Sequence, residues 1–265
     1  MSLFYSFFKW NGFFSSPMIP AGLSNWVSLF KDTIFWKAAE NNFLLVVISI
    51  LIQIPIGLLL GVLVSTKLKG MKLIKLLYFL PMMLSAVGIG LLWEYIYDPN
   101  FGLINAVLNF IGLGNLTHGW LGDPKTAIWS VFVVICWEYI PFYMIIFAAA
   151  LSGIPKELFE AARIDGATHS QTFFKVTLPL LTNAIRTSTI LALIGSLQYF
   201  ALIYVMTDGG PTHSTEVMAL LMYKQAFRFF KTGYGSTIAV FMFVLSLSLT
   251  LVTLKLYRRG REYEV

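Results

Sequence analysis

The sequence predicts an all-α bundle of membrane-spanning helices, and three observations carry that prediction. Only 12% of the residues are charged while 57% are hydrophobic. That is about half the charged share of a soluble domain, too little polar surface to cover a chain of this size in water. The apolar residues gather into long runs, several of them near the ~20 residues that cross a hydrocarbon core. The cations gather in the short stretches between those runs. With 265 residues and a mean hydropathy of +0.75, the chain reads as a multi-pass membrane protein. The net charge of +6 belongs to Lys- and Arg-rich loops on the inner side. No stretch interleaves basic and aromatic residues as a nucleic-acid surface does, so no nucleic acid is expected as a partner.

Residues 1–42 are mixed, with Phe4, Tyr5, Phe7, Phe8, Trp10, Trp26 and Trp36 among Gly, Pro and Ser. Aromatics at this density suit a membrane–water interface, and Leu23 to Glu40 is expected to form a surface helix. The first span is read at residues 43–65, which carry no charge. Its Gly57 and Gly61 form a G-x-x-x-G pair that permits close helix packing. A basic turn with Lys67, Lys69, Lys72 and Lys75 leads into a second span at 73–97, with Pro81 inside it and Trp93, Tyr95 and Tyr97 near its far end. Residues 98–125 read as a loop with a small helix at Leu103 to Ile111. The third span, 126–151, holds Glu138 beside Trp137, Tyr139 and Pro141. A charged island occupies 152–183. Spans four and five are read at 186–206 and 236–257. Between them lie a turn, Thr207 to Pro211, and an amphipathic helix from Glu216 to Lys231 with Val217, Leu220, Leu221 and Phe227 at helical spacing. The basic tail is 258–265, and 43–257 form one transmembrane domain.

Five spans divide the loops into two sets. One holds Lys67, Lys69, Lys72, Lys75, Lys156, Arg163, Lys175, Arg186, Lys255, Arg258, Arg259 and Arg261. The other, in longer loops, holds Lys9, Lys31, Lys37, Lys125, Lys224, Arg228 and Lys231. The positive-inside rule puts the first set in the cytoplasm, and with it the island and the C-terminus, leaving residues 1–42 outside. Residues 1–14 lack the basic start and apolar core of a secretory leader. An external N-terminus leaves two options: five spans in all, or a further span before Met1 whose outer end is Ser2 to Phe8.

Several chemistries are excluded. Cys136 is the single cysteine, His118, His169 and His213 have no ligand-spaced neighbours, and no G-x-x-x-x-G-K-[ST] loop occurs. No catalytic residue, metal site or bound cofactor is therefore expected. A secondary transporter would call for paired mid-membrane ionisable groups or inverted repeats, and Glu138 stands alone. An intramembrane enzyme would need a nucleophile–base constellation that is missing. Glu138 itself fits either a functional carboxylate or an inter-helix hydrogen bond.

The island predicts two short helices. Pro155 suits a first helical position and Glu157 the first turn. Gly166 can take the left-handed conformation that closes the first helix, and Thr168-x-x-Gln171 has the form of a capping box for the second. Leu178-Pro179 is expected to end it. Leu158, Ala161, Ala162 and Ile164 make a small apolar face, with Glu157, Glu160, Arg163 and Asp165 outward. This describes a knob made to dock into a partner, or an amphipathic loop lying on the inner leaflet.

Glu160-Ala161-Ala162, Asp165-Gly166-Ala167 and Leu178-Pro179 together resemble the EAA signature of bacterial ABC-importer permeases. Ile154 to Leu158, Asp208-Gly209-Gly210-Pro211 with Ser214-Thr215-Glu216, and Phe7 to Gly12 resemble the MalF-like carbohydrate-uptake branch. The resemblance covers essentially the whole chain. It implies a six-span core, of which most of the first span is missing here, in the bacterial cytoplasmic membrane. It implies that the island is a coupling helix seated in a dimer of cytoplasmic ABC ATPases, which bind the ATP. Glu160 and Asp165 would orient that helix by caps or ion pairs, while Ala161, Ala162 and Gly166 would allow close fit. A second permease and an extracellular solute-binding protein would complete the importer, surrounded by membrane lipid. Sugar chemistry is offered by Glu138 and Tyr139 in span three and by Asn183, Gln198, Tyr199 and Tyr204 in or beside span four. A glycerol phosphate, a polyamine or an osmolyte is the alternative solute.

Overall fold

A computed structural model describes residues 1–65 and 70–261, which are mostly helical. Lys67, Lys69 and residues 262–265 of the tail lie outside the described residues, as do the side chains of Lys72, Arg258, Arg259 and Arg261. The chain opens with α1 (Ser2–Tyr5) and a short antiparallel pair, β1 (Phe8–Lys9) against β2 (Ile19–Pro20). Leu23 to Glu40 is not one surface helix. It divides into α2 (Ser24–Lys31) and the start of α3 (Thr33–Ile48), parted at Asp32. Asp32 is extended (φ −79°, ψ 109°), and its Oδ1 accepts from the N–H groups of Ile34 (2.9 Å) and Phe35 (3.3 Å), an N-cap that opens α3. The first crossing helix therefore starts at Thr33, ten residues before Phe43, and runs through a π turn (Ser49–Gln53) into α4 (Ile54–Val64). Its 32 residues reach roughly 48 Å, well beyond the ~30 Å of hydrocarbon.

The second span is not a straight rod. α5 (Met71–Met83), with Pro81 inside, ends before Leu84, and α6 (Ala86–Ile96) begins afresh with Ser85 Oγ accepting from Gly88 N–H at 3.1 Å. α7 (Leu103–Phe110) lies within one residue of its expected bounds, as does α8 (Ala127–Ser152). The island holds α9 (Lys156–Ile164), α10 (His169–Thr172), a π turn (Phe173–Thr177) and α11 (Leu178–Leu180). α12 (Thr182–Leu197) starts four residues earlier than expected and stops at Gln198, and α13 (Ala201–Met206) resumes after Phe200, whose backbone is irregular (φ −142°, ψ −52°). The helix read at 216–231 is shorter: α14 (Met218–Tyr223) and a π turn (Lys224–Arg228), with Phe227 exposed rather than packed. α15 (Thr232–Arg261) begins four residues before Ser236. Among the described residues four helices are long and apolar enough to cross a membrane, or five when the broken pair α5–α6 is counted as one span.

The chain forms two compact units. The first comprises residues 1–47, 84–135 and 194–251. Leu29, Phe35, Leu45, Ile89, Leu202, Ile203, Met218 and Leu220 have no exposed surface there. Phe35 meets Phe241 edge-on at 5.0 Å, and Asn25 Nδ2 donates to the carbonyls of Ser6 and Phe8 (both 2.9 Å), tying the N-terminal hairpin down. The second unit comprises residues 48–83, 136–193 and 252–265. Its core is Ile54, Leu58, Tyr143, Phe147, Leu181 and Ala192. The G-x-x-x-G pair does the packing expected of it. A Cβ on Gly57 would sit 2.5 Å from Tyr143 Cβ, and one on Gly61 2.8 Å from Phe147 Cβ, so α4 and α8 touch backbone to backbone.

Candidate functional sites

The island is built from local signals. Pro155 is the N-cap of α9 rather than its first helical residue, one position off expectation. At the other end Gly166 has φ +76°; its N–H donates to Arg163 O (3.1 Å) while Ala167 N–H donates to Ala162 O (2.9 Å). These two bonds make a Schellman closure, which needs the left-handed residue that glycine supplies without strain. Thr168 and Gln171 form both halves of the capping box, 3.3 Å and 2.8 Å. Leu178-Pro179 does not end the second helix. The π turn ahead of Pro179 absorbs its missing N–H, and the helix runs on to Leu180. Leu178 packs against the core of the second unit, while Pro179 is exposed.

Only part of the expected apolar face of α9 packs on its own chain. Ala162 is buried and Ala167 half-buried. Leu158 (42% exposed), Ala161 and Ile164 (86% exposed) form an outward ridge at i, i+3, i+6. Glu160, Arg163 and Asp165 are exposed and make no ion pair among the described residues. Asp165 serves as the C-cap through its backbone, so neither acid caps the helix with its side chain.

The residues singled out for sugar chemistry divide between the units. In the second, Glu138 is buried, Tyr139 is half-buried next to it in sequence, and Asn183 is exposed. Asn183 lines a cavity of about 350 Å³ with Arg186, Thr187, Ile190 and Leu191. In the first, Gln198 is exposed at the end of α12, Tyr199 is buried, and Tyr204 stacks on Phe200 at 5.1 Å. Within the second unit, Asn183, Thr187 and Leu191 are exposed at i, i+4, i+8 on α12.

One polar network was not anticipated. Glu216 has no exposed side-chain surface; its Oε2 accepts from Lys224 Nζ (3.0 Å) and lies 2.9 Å from His213 Nδ1. Lys224 Nζ also donates to Asp208 O (2.7 Å). Arg228 Nη1 donates to Asp208 Oδ2 (2.6 Å) and its Nη2 to Tyr204 Oη (3.4 Å). The Asp208 bond, then that to Tyr204, raises the Arg228 pKa above its ordinary value. Gly209 (φ +80°) sits so close that a Cβ there would meet the Glu216 carboxylate and the Lys224 ammonium. Asn41 Nδ2 donates to the carbonyls of Ser214 (2.9 Å) and Glu216 (2.8 Å). Asn42 donates to Ser196 O (2.7 Å) and accepts from Met218 N–H (2.8 Å). The run Asp208 to Glu216 thus closes a rigid loop. The signal available beforehand was an acid and a base flanking the uncharged stretch 217–223, and an amide pair at the head of a span.

Several apolar helices long enough to cross a membrane, and a polar helical knob whose charges make no ion pair among the described residues, describe a polytopic membrane protein. Residues 53–262 match the family described as the binding-protein-dependent transport system inner membrane component, and the chain belongs to that family. It is a permease subunit of the ABC transporter class. The probable ABC transporter permease protein YurN of Bacillus subtilis is 38% identical over 98% of this chain and 90% of its own length. The diacetylchitobiose uptake system permease protein NgcF of Streptomyces coelicolor is 33% identical over 93% and 72%. Among solved structures, a chain of a bacterial ABC transporter involved in the import of the acidic polysaccharide alginate superposes with a TM-score of 0.84. It is 26% identical over 93% of this chain and 86% of that one.

Proposed function

We propose that this chain is one of two permease halves of a sugar-importing ABC transporter, and that residues 154–179 receive the drive from a separate ATPase dimer. The observation that carries this is the ridge of Leu158, Ala161 and Ile164, exposed on a helix whose charges make no ion pair among the described residues. Exposed Leu and Ile beside uncompensated Glu160, Arg163 and Asp165 are what a docking surface with a polar rim requires. Ala161 and Ala162 permit close approach, and the Gly166 closure with Leu178 and Pro179 transmits displacement of α9 to α12. ATP is bound and hydrolysed by the partner, so this subunit is not itself an enzyme. The cation-rich loops, the island and the C-terminus face the cytoplasm of a cell whose cytoplasmic membrane the chain crosses. An extracellular binding protein delivers the solute from the side of residues 1–31.

Sugar as cargo is supported by the substrates that NgcF and the alginate transporter are named for. Glu138, Tyr139, Asn183, Gln198, Tyr199 and Tyr204 supply carboxylate, amide and aromatic groups for it. The test is uptake into vesicles holding the reconstituted complex, with a panel of labelled oligosaccharides, an osmolyte and a polyamine. ATP-dependent uptake of one or more sugars is expected, with at least a tenfold loss for Glu138→Ala or Gln198→Ala, as about 1.4 kcal/mol of lost contact implies. Uptake of only the osmolyte or polyamine overturns the cargo, and full activity of both variants overturns the path.

A further inference from the structure

α7 is built inside out for water. Its buried residue is polar: Asn105 (4% exposed) donates from Nδ2 to Pro99 O and His118 O (both 3.1 Å) and accepts from Trp120 Nε1 at 2.8 Å. Its outward residues are apolar but for Asn109 at the edge: Leu103 (61%), Val107 (48%) and Phe110 (90%), with Ala106 among them. At about 100° per residue these four share one side of the helix and Asn105 the opposite side. The apolar surface continues into the flanking residues, with Phe101 87% and Ile111 57% exposed, and no residue of α7 is charged. Three hydrogen bonds to Asn105 fix the rotation of the helix, so the apolar side cannot roll inward.

We infer that α7 is an interfacial helix whose Leu103, Val107 and Phe110 side lies in the outer boundary of the bilayer. Three features favour lipid over a partner protein. α7 sits on the connection between α6, an apolar membrane-candidate helix, and α8, which is long and apolar enough to cross, and only six residues part it from α6, so it stays near the membrane surface. Close helix–helix contact in membranes selects small residues, whereas this side carries bulky and aromatic ones. Phe101 and Phe110 extend an exposed aromatic series with Tyr95 (78%) and Trp129 (52%) on the flanking helices, the pattern of an interfacial belt. The outer side follows from the charge distribution of the loops.

The experiment places a spin label at position 103, 107, 110 or 109 in turn (Leu103→Cys, Val107→Cys, Phe110→Cys, Asn109→Cys) in a Cys136→Ser background. The assembled complex in lipid nanodiscs is probed with oxygen, which concentrates in lipid, and a nickel chelate, which stays in water. Labels at 103, 107 and 110 are expected to be relaxed more by oxygen than by nickel, with Asn109→Cys showing the reverse. Preferential relaxation by nickel at all four positions overturns the inference in favour of a wet surface. Protection from both reagents at 107 and 110 overturns it in favour of a protein partner.

Discussion

At the scale of single residues, the buried ion pair between Glu216 and Lys224 is the most consequential feature of the first unit. Glu216 is wholly enclosed, so removing its carboxylate leaves Lys224 with the carbonyl of Asp208 as its nearest strong acceptor. Breaking such a pair costs about 3–5 kcal/mol, whereas replacing both partners by apolar groups is often close to neutral. Glu216→Ala is therefore expected to lower the melting temperature of the purified subunit in detergent strongly. Glu216→Ala with Lys224→Met should recover much of that loss. Equal loss in the single and double variants would mean that the pair is not what holds the 207–217 loop. The acid and base flanking 217–223 and the amide pair were visible beforehand, but their joining was not, because Asn41 and Asn42 find partners up to 176 residues away.

At the scale of elements, local chemistry predicted well and continuity predicted badly. The capping box at Thr168 and the glycine closure at Gly166 were readable because both involve residues within five positions of one another. The start of the first crossing helix was not, since Lys37, Glu40, Asn41 and Asn42 make residues 33–42 look polar. The helix forms there anyway because Asp32 caps it, Lys37 pairs with Glu40 at 2.8 Å, and the two asparagines find distant carbonyls. The breaks at Ser85 and Gln198 lie inside apolar runs where hydropathy carries no mark. Close packing of α4 on α8 gives a sharp expectation. Gly61→Leu must push against Phe147 Cβ and the carbonyl of Met144, 2.8 and 3.0 Å from the new Cβ, and overpacking of this kind costs about 1–3 kcal/mol. Gly195→Leu meets nothing within 4 Å and should leave the melting temperature of the isolated subunit unchanged. Similar shifts in the two variants would contradict the close approach.

At the scale of the whole molecule, the membrane class follows from hydropathy alone, and the cations supply the orientation proposed above. The proposed role rests on α9, where Leu158, Ala161 and Ile164 lie bare on a helix outside the crossing segments. Ile164 is 86% exposed and contributes nothing to the internal core, so its replacement probes docking without disturbing the fold. The decisive measurement is the reactivity of Ile164→Cys, in a Cys136→Ser background, toward a membrane-impermeant maleimide. The subunit alone is expected to label readily, the complex with its ATPase to be protected, and subunit labelled before assembly to lose binding-protein-stimulated ATP hydrolysis. Equal labelling with and without the ATPase, with hydrolysis intact after labelling, would contradict the assignment of α9 as the point where the drive arrives.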